Sequence, residues 1–393
     1  MDLGLREKDL FLEKVSFILI LIFLFSINFS IALCYIVFSL LSISTAISYF
    51  KNKRKITLPP YFKYIIIFSI LTIISTLFSI DRTASFKENK EIFIFFLIPI
   101  FIYILKRVEM YRAAISTILY SAVFSSLIGI VISAREGISL HHRLKGFSSH
   151  WMTYSGLLML VFVFFAILSI YEKSKKIKIV NFFLISPLLV SILLSLTRSV
   201  WIGIFVSTGI FFLYYFRKRP PILISSIILL SIVFMLLPGT IKTRMFSIFD
   251  VNNTTNLDRL HMAYTTMEIV KDFPLTGVGP DNVKKIYPDY RHPDATKNNP
   301  HLHNNFFQIT AERGIITLII FIILFISIIK DLALKSRNGT PFEKRISIAV
   351  LFLVISFLTS GMFEYNFGDT EIKFLLFFFI SIPYLTIYES EKF

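Results

Sequence analysis

An all-α protein threaded repeatedly through a membrane is the fold class this sequence predicts, and three observations carry it. Of 393 residues, 55% are hydrophobic and 44 are Phe, and the mean hydropathy is +0.72. The apolar residues gather into repeated runs of about 17 to 25, the length a helix needs to cross a bilayer. Charged residues are confined to short clusters between those runs. A soluble domain of this length would bury a large core but would not repeat such runs.

Twelve spans are expected, near residues 14–29, 31–50, 61–80, 91–105, 113–133, 154–171, 179–196, 199–216, 222–237, 314–330, 346–362 and 374–388. The stretch 14–50 is divided at "SINFS" and 179–216 at "LTRS"; the fourth span is the shortest. This organises the chain as nine spans over 1–237, one large loop over 238–313 and three spans over 314–393. Lys and Arg set the orientation. With the N-terminus cytoplasmic, "KNKRK" (51–55), "KRVEMYR" (106–112), "EKSKKIK" (172–178), "RKR" (217–219) and "KSRNGTPFEKR" (335–345) all fall on the inner side, the positive-inside pattern. Both termini are then cytoplasmic and the large loop lies outside.

The net charge of +16 therefore encodes topology. Nucleic-acid binding would need one basic patch, whereas these clusters alternate with spans. The first apolar run outlasts a secretory h-region and has no small-residue cleavage site, so no cleavable signal is expected. Cys34 is the only cysteine and lies inside a span, which excludes an intrachain disulfide or a cysteine metal site.

A loop as long as 238–313 is expected to hold helices of its own and to carry function. "TTNLDRLHMAYTTMEIVKDFPLTGVG" reads as an amphipathic helix with Asn256 as cap and Asp258 in the first turn. Leu257, Leu260, Tyr264 and Met267 recur at helical spacing, and Pro274 and Gly277 end it. A second helix is expected through "HLHNNFFQITAER", with Asn299 as cap and Pro300 first. His303 would then sit in its first turn, where the helix dipole favours the neutral ring, able to accept a proton. Leu302, Phe306 and Ile309 form an apolar face, and Asn304, Gln308 and Glu312 another. A neutral histidine on a polar face at the membrane boundary suits general-base work. A surface histidine with no role is the plainer reading of the same spacing. Zinc is disfavoured because His301 and His303, two apart on a helix, point to different sides and nothing completes a ligand set.

Arg198, in "LTRSVWIG", interrupts an otherwise nearly uncharged stretch. Such an arginine is costly unless it lies at an interface, lines a cavity or meets an anion. It marks the outer turn of a helical hairpin, where its guanidinium can grip paired phosphate oxygens. Arg259 in "NLDRLHMAY", with Asp258 as its obvious partner, and Arg143 in "HHRLKGFSSH" are further outer-side candidates. His141, His142, His150 and His261 are read as structural or surface residues, as are the turns "FPLTGVGP" and "KGFSS". Gly277 and Gly279 do not make a nucleotide-binding signature, since no strand precedes them.

Together, "LTRSVW" at 196–201, "DRL" followed by "DFPLTGVGPDN" within 258–282, and "HLHNNFFQITAERG" at 301–314 resemble the O-antigen ligase family (WaaL-type), with its relatives the Wzy-type polymerases and bacterial O-oligosaccharyltransferases. Motif order and a large loop before the last three spans extend the resemblance over nearly the whole chain. One departure is visible: Thr317 stands where the family often has a second glycine three residues after Gly314. The resemblance implies a polytopic GT-C-type glycosyltransferase with a helical periplasmic loop and a periplasmic active site, in the inner membrane of a Gram-negative bacterium. It implies transfer of a preassembled glycan from undecaprenyl pyrophosphate to a sugar hydroxyl of lipid A–core, in lipopolysaccharide biosynthesis, with inversion and with neither cofactor nor metal. By motif, His303 matches the catalytic histidine, Arg198 and Arg259 the pyrophosphate-binding arginines, and Arg143 a further one; Asn304 and Gln308 would orient the base or contact sugar.

A Wzy-type polymerase and a protein O-oligosaccharyltransferase differ from this only in acceptor. The alternative outside enzymes is a transporter of lipid-linked glycan. Twelve spans suit it, but no half-to-half repeat is visible and the polar residues gather in one outer loop instead of at mid-membrane.

Overall fold

The computed structural model describes residues 7–52, 55–137, 139–140 and 142–385. Among them the chain is helical with no strand. In order, the helices are α1 (Glu7–Ser26), α2 (Ile31–Asn52), α3 (Phe62–Leu77), α4 (Arg82–Glu88), α5 (Leu97–Ile104), α6 (Val108–Glu136), α7 (Trp151–Ile170), α8 (Lys175–Leu194), α9 (Arg198–Phe216) and α10 (Pro220–Leu236). There follow α11 (Gly239–Phe246), α12 (Thr254–Asp272), α13 (Val283–Tyr290), α14 (Asn305–Asn338), α15 (Pro341–Gly361) and α16 (Thr370–Ser381). Six of these, α2, α6, α7, α8, α9 and α14, are long and apolar enough to cross a membrane.

Two expected spans take another form. Residues 89–96 wind as a 3-10 helix and only Leu97–Ile104 is α-helical. The last helix stops at Ser381 and gives way to a 3-10 turn at Ile382–Tyr384, where Pro383 supplies no backbone donor; residues 386–388 lie outside the described residues. Both short helices, α5 and α16, are buried on nearly every face. An all-round apolar helix is the mark of a buried position, so the oiliest sequence here lies inside the bundle. By contrast α8 turns Phe182 and Phe183 outward, at 64% and 67% exposure.

The centre of the bundle is α7, flanked by α8, α9, α15 and α16. A polar knot sits at the rim of this core. Glu91 accepts from Tyr35 Oη and Thr370 Oγ1, each at 2.9 Å, and pairs with the buried Lys373.

At one end of the bundle the helices α11 to α13 are held by an interlock. Gly314 interrupts α14 with φ +80°, so the helix comprises a short arm, 305–313, and a long apolar part, 315–338. The segment 274–279 passes through the break. Val278 N donates to Ala311 O at 2.9 Å, Gly279 N to Glu312 O at 2.8 Å, and Ile315 N to Pro274 O at 2.9 Å. A Cβ on Gly314 would meet Leu275 O at 2.0 Å, so this position needs glycine for both its φ and its space. Asn282 completes the latch, donating to Ser79 Oγ at 2.6 Å and Ser85 Oγ at 2.9 Å across the α3–α4 turn. The turn "FPLTGVGP" is therefore structural.

Gly314→Ala is expected to lower stability by about 1–3 kcal/mol or more, through strain at positive φ and collision with the Leu275 carbonyl. Thermal unfolding of the purified protein in detergent measures this.

Candidate active site

The turns on that same end converge on a cavity of about 220 Å³ lined by Arg143, Trp151, Arg198, Arg244, Asp258, Arg259, Lys297, His303 and Glu364, among others.

Arg198 opens α9 just after a sharp hairpin turn in which Leu196 takes φ +53°. Trp201 closes the hairpin by donating its indole N–H to Ile192 O at 3.0 Å. The "LTRSVW" motif is thus partly architectural: it turns the chain and leaves Arg198 at the cavity. The Arg198 guanidinium donates to Ser247 O at 2.6 Å, to Ser247 Oγ at 3.1 Å and to Asn256 Oδ1 at 2.8 Å. Ser247 is the C-cap of α11, where free carbonyls and the helix dipole favour a cation. Asn256 also donates to Ser247 O and Asp250 O. The cap of α12 is Asn253, whose side chain accepts from Thr255 N. Asn256 is not the cap expected from its position; it is committed to Arg198.

Arg244 belongs to α11 and donates to Leu196 O at 3.3 Å. Burial, then the charges of Arg143 and Arg259, pull its guanidinium down to about 10. It remains a cation at neutral pH. Arg259 donates to Phe363 O at 3.0 Å, and its buried Nε has no partner. Its sequence neighbour Asp258 pairs with Lys297 at 2.6 Å instead. Arg143 lies over the Trp151 ring, 4.9 Å from the centroid. Among the described residues none of these four arginines forms an ion pair. Four partly desolvated guanidiniums around one cavity repel one another, and a multivalent anion would relieve that repulsion.

His303 lines the same cavity. The helix expected from Asn299 and Pro300 begins later: Asn304 is the cap, accepting from Phe306 N at 2.8 Å and Phe307 N at 3.1 Å. His303 therefore sits in the turn before the helix, at φ +42°, and does not share the first-turn dipole environment. What acts on it is Glu364, whose Oε1 is 2.8 Å from His303 Nδ1. Burial opposes the charge on Glu364, but the His303 hydrogen bond and the nearby His301 and Arg259 charges hold its carboxyl below the usual range. An ionised carboxylate can only accept, so Nδ1 donates and Nε2 is the ring nitrogen left free of this bond.

Asn304 and Gln308 do not line the cavity. Asn304 caps the helix and donates to Met362 O at 2.8 Å. Gln308 is buried, accepting from Leu302 N at 2.7 Å and donating to Glu312 Oε1 at 2.8 Å. Both fix the turn that carries His303. His142 is exposed and His150 caps α7; His261 stacks on His292 at 4.6 Å, and His141 lies outside the described residues.

The sequence reading missed Arg244, Glu364, Trp151 and Lys297. Glu364 carried a usable signal: it is an acid between two apolar helices at the same end of the bundle as the arginine turn. Arg244 carried almost none, being one of several cations in a polar loop.

The fold and cavity define a helical protein, with six helices long and apolar enough to cross a membrane, that gathers four arginines beside a histidine–carboxylate pair. Residues 182–322 match the family model described as O-antigen ligase. The match takes in Arg198, Arg244, Arg259 and His303; Arg143 and Glu364 fall outside it. No curated protein matches the chain.

Arg244→Ala is expected to weaken binding of a diphosphate roughly 10- to 100-fold, since a bond to a charged group contributes about 1.5–3 kcal/mol. Arg244→Lys should restore part of the loss; calorimetric titration with pyrophosphate in detergent checks both.

Asp369, on the turn beside Glu364, accepts from Thr153 Oγ1 at 3.1 Å. Burial, then the Glu364 and Glu371 charges, pushes its carboxyl up to about 8. The folded chain then keeps a proton that the unfolded chain releases near the ordinary range of about 4. Stability is highest below that range and falls as pH rises toward 8. Asp369→Asn should flatten this slope, as read from the unfolding temperature across that window.

Proposed function

We propose that this chain is an O-antigen ligase, moving a preassembled glycan from undecaprenyl pyrophosphate to a sugar hydroxyl of lipid A–core in lipopolysaccharide biosynthesis. The observation that carries the reading is the cavity that sets four unpaired arginines against the His303–Glu364 pair. The family match supports it. In this reading the chain is a GT-C-type enzyme of about twelve spans in the inner membrane of a Gram-negative bacterium. Its termini are cytoplasmic, 238–313 is the large periplasmic loop, and 1–237 and 314–393 hold the spans.

The donor is already activated, so the enzyme's task is positioning, proton removal and charge stabilisation. The acceptor hydroxyl oxygen attacks the anomeric carbon while His303 Nε2 takes its proton. Glu364 fixes the ring and stabilises the imidazolium that forms. The bond from the anomeric carbon to the pyrophosphate oxygen breaks, and its electron pair leaves with the pyrophosphate. Arg198, Arg244 and Arg259, with Arg143 at the rim, stabilise that growing charge. In a water-poor site such preorganised donors contribute most, so the step needs no metal or nucleotide. Direct attack inverts the anomeric centre.

The test is transfer by the purified protein, without nucleotide or metal, from undecaprenyl-pyrophosphate-linked glycan to lipid A–core. The wild type should build a ladder on lipid A–core, and His303→Ala should slow it by about 10²–10⁴-fold, the usual share of general-base catalysis. A folded His303→Ala variant with unchanged activity would remove the proposed base. Extension of glycan still held on the polyprenyl lipid would make the protein a Wzy-type polymerase, and transfer to protein an O-oligosaccharyltransferase. No product from any acceptor, with movement of the intact lipid-linked glycan, would make it a transporter.

A further inference from the structure

Two apart on a helix, His301 and His303 would diverge. They are not on a helix: the turn before Asn304, with His303 at φ +42°, brings the two rings to 4.7 Å between centroids. Glu364 reaches the same place from a turn 61 residues later. One ligand atom from each of the three lies within 4.8 Å of the others. Glu364 is 7% exposed, and its second oxygen, Oε2, is buried with no hydrogen-bond partner. A buried charged oxygen without a partner costs about 1–3 kcal/mol or more, which marks a place where a ligand atom is wanted. The His301 ring makes no hydrogen bond among the described residues; its ring contacts are to His303 and Tyr365.

We propose that His301, His303 and Glu364 form a binding site for a divalent ion of the zinc class, and that this ion inhibits the protein by occupying the donors His303 needs as a base. Two imidazoles and one carboxylate are the borderline nitrogen and oxygen donors that such ions take, with an open fourth position. Metal–donor bonds of about 2.0–2.1 Å set tetrahedral donor separations of about 3.3 Å. The three groups must therefore close by up to about 1.5 Å from the observed spread, which side-chain rotation supplies. His303 and Glu364 both line the cavity, so the fourth position opens where the acceptor hydroxyl would approach. The neighbouring arginines disfavour a second cation here, which makes the site a reversible one instead of a structural one. Ion binding goes beyond the proposed function; only the inhibition rests on it.

The experiment uses the full chain without a histidine tag, titrated with Co²⁺ alone in detergent, followed by its visible d–d bands and then by Zn²⁺ displacement. One ion per chain is expected. His301→Ala and Glu364→Gln should each weaken binding at least about tenfold, and His261→Ala, at the His292 stack, should leave it unchanged. Wild-type binding no tighter than that of both variants, or lost in His261→Ala, overturns the site. In the transfer assay, Zn²⁺ should block the wild type, a chelator should reverse the block, and His301→Ala should need at least about tenfold more ion. An active wild type that binds Zn²⁺ and keeps its full rate overturns the inhibition alone. A preparation that binds the ion but transfers nothing in any assay counts against the transferase reading and leaves the metal site standing.

Discussion

The break in α14 at Gly314 is the constraint on which the rest of this architecture depends. A continuous helix through 305–338 would leave the segment 274–279 no backbone partners and would carry His303 along a different line. With the helix interrupted, the carbonyls of Ala311 and Glu312 accept from Val278 and Gly279, and Ile315 finds Pro274. Exposed peptide groups at a membrane boundary are expensive, and here each end of the break satisfies the other chain. The buried Glu312 extends the arrangement by accepting from Asp281 N and Gln308 Nε2 and by pairing with Arg313. This crossing fixes α14 against the segment 274–279, while Arg198, Arg244 and Arg259 tie α11 and α12 to the α8–α9 turn and to Phe363.

The charge distribution of the cavity follows from how its residues are partnered. Asp258, the carboxylate nearest Arg259 in sequence, is neutralised by Lys297, and Glu364 is engaged by His303. The arginines are left with carbonyls, amides and hydroxyls, which orient them without cancelling their charge. Such a site costs stability when empty and recovers it on meeting an anion, a common compromise in functional pockets. The same carboxylate that orders His303 also makes the histidine turn attractive to a divalent cation, so anion and cation preferences meet at one residue.

Burial inside the bundle separates structural roles that hydropathy merges. The spans expected at 91–105 and 374–388 rest on strongly apolar sequence, and that apolarity is real. It serves protein–protein packing around α5 and α16, with a buried Glu91–Lys373 pair between their ends. α8, which turns Phe182 and Phe183 outward, is no more apolar than these. Periodicity cannot distinguish the two cases, because a helix surrounded by protein and one surrounded by lipid both present oil on most sides.

The sequence by itself determined the all-helical class with helices suited to crossing a membrane, because bilayer thickness imposes a length on every apolar run. It also singled out His303, Arg198, Arg259 and Arg143, which the fold gathers at one cavity, because lone cations and histidines at the edge of oil are conspicuous. Tertiary structure alone decided the partners. Asn256 and Asn304 exchanged their expected roles as solvent-facing cap and site residue, Gln308 went to a backbone contact, and Arg244 and Glu364 entered from distant segments. Local spacing encodes which face of a helix a residue shares. It does not encode which carbonyl, 50 or 60 residues away, will stand 3 Å from its side chain, since that distance is set by how the helices pack.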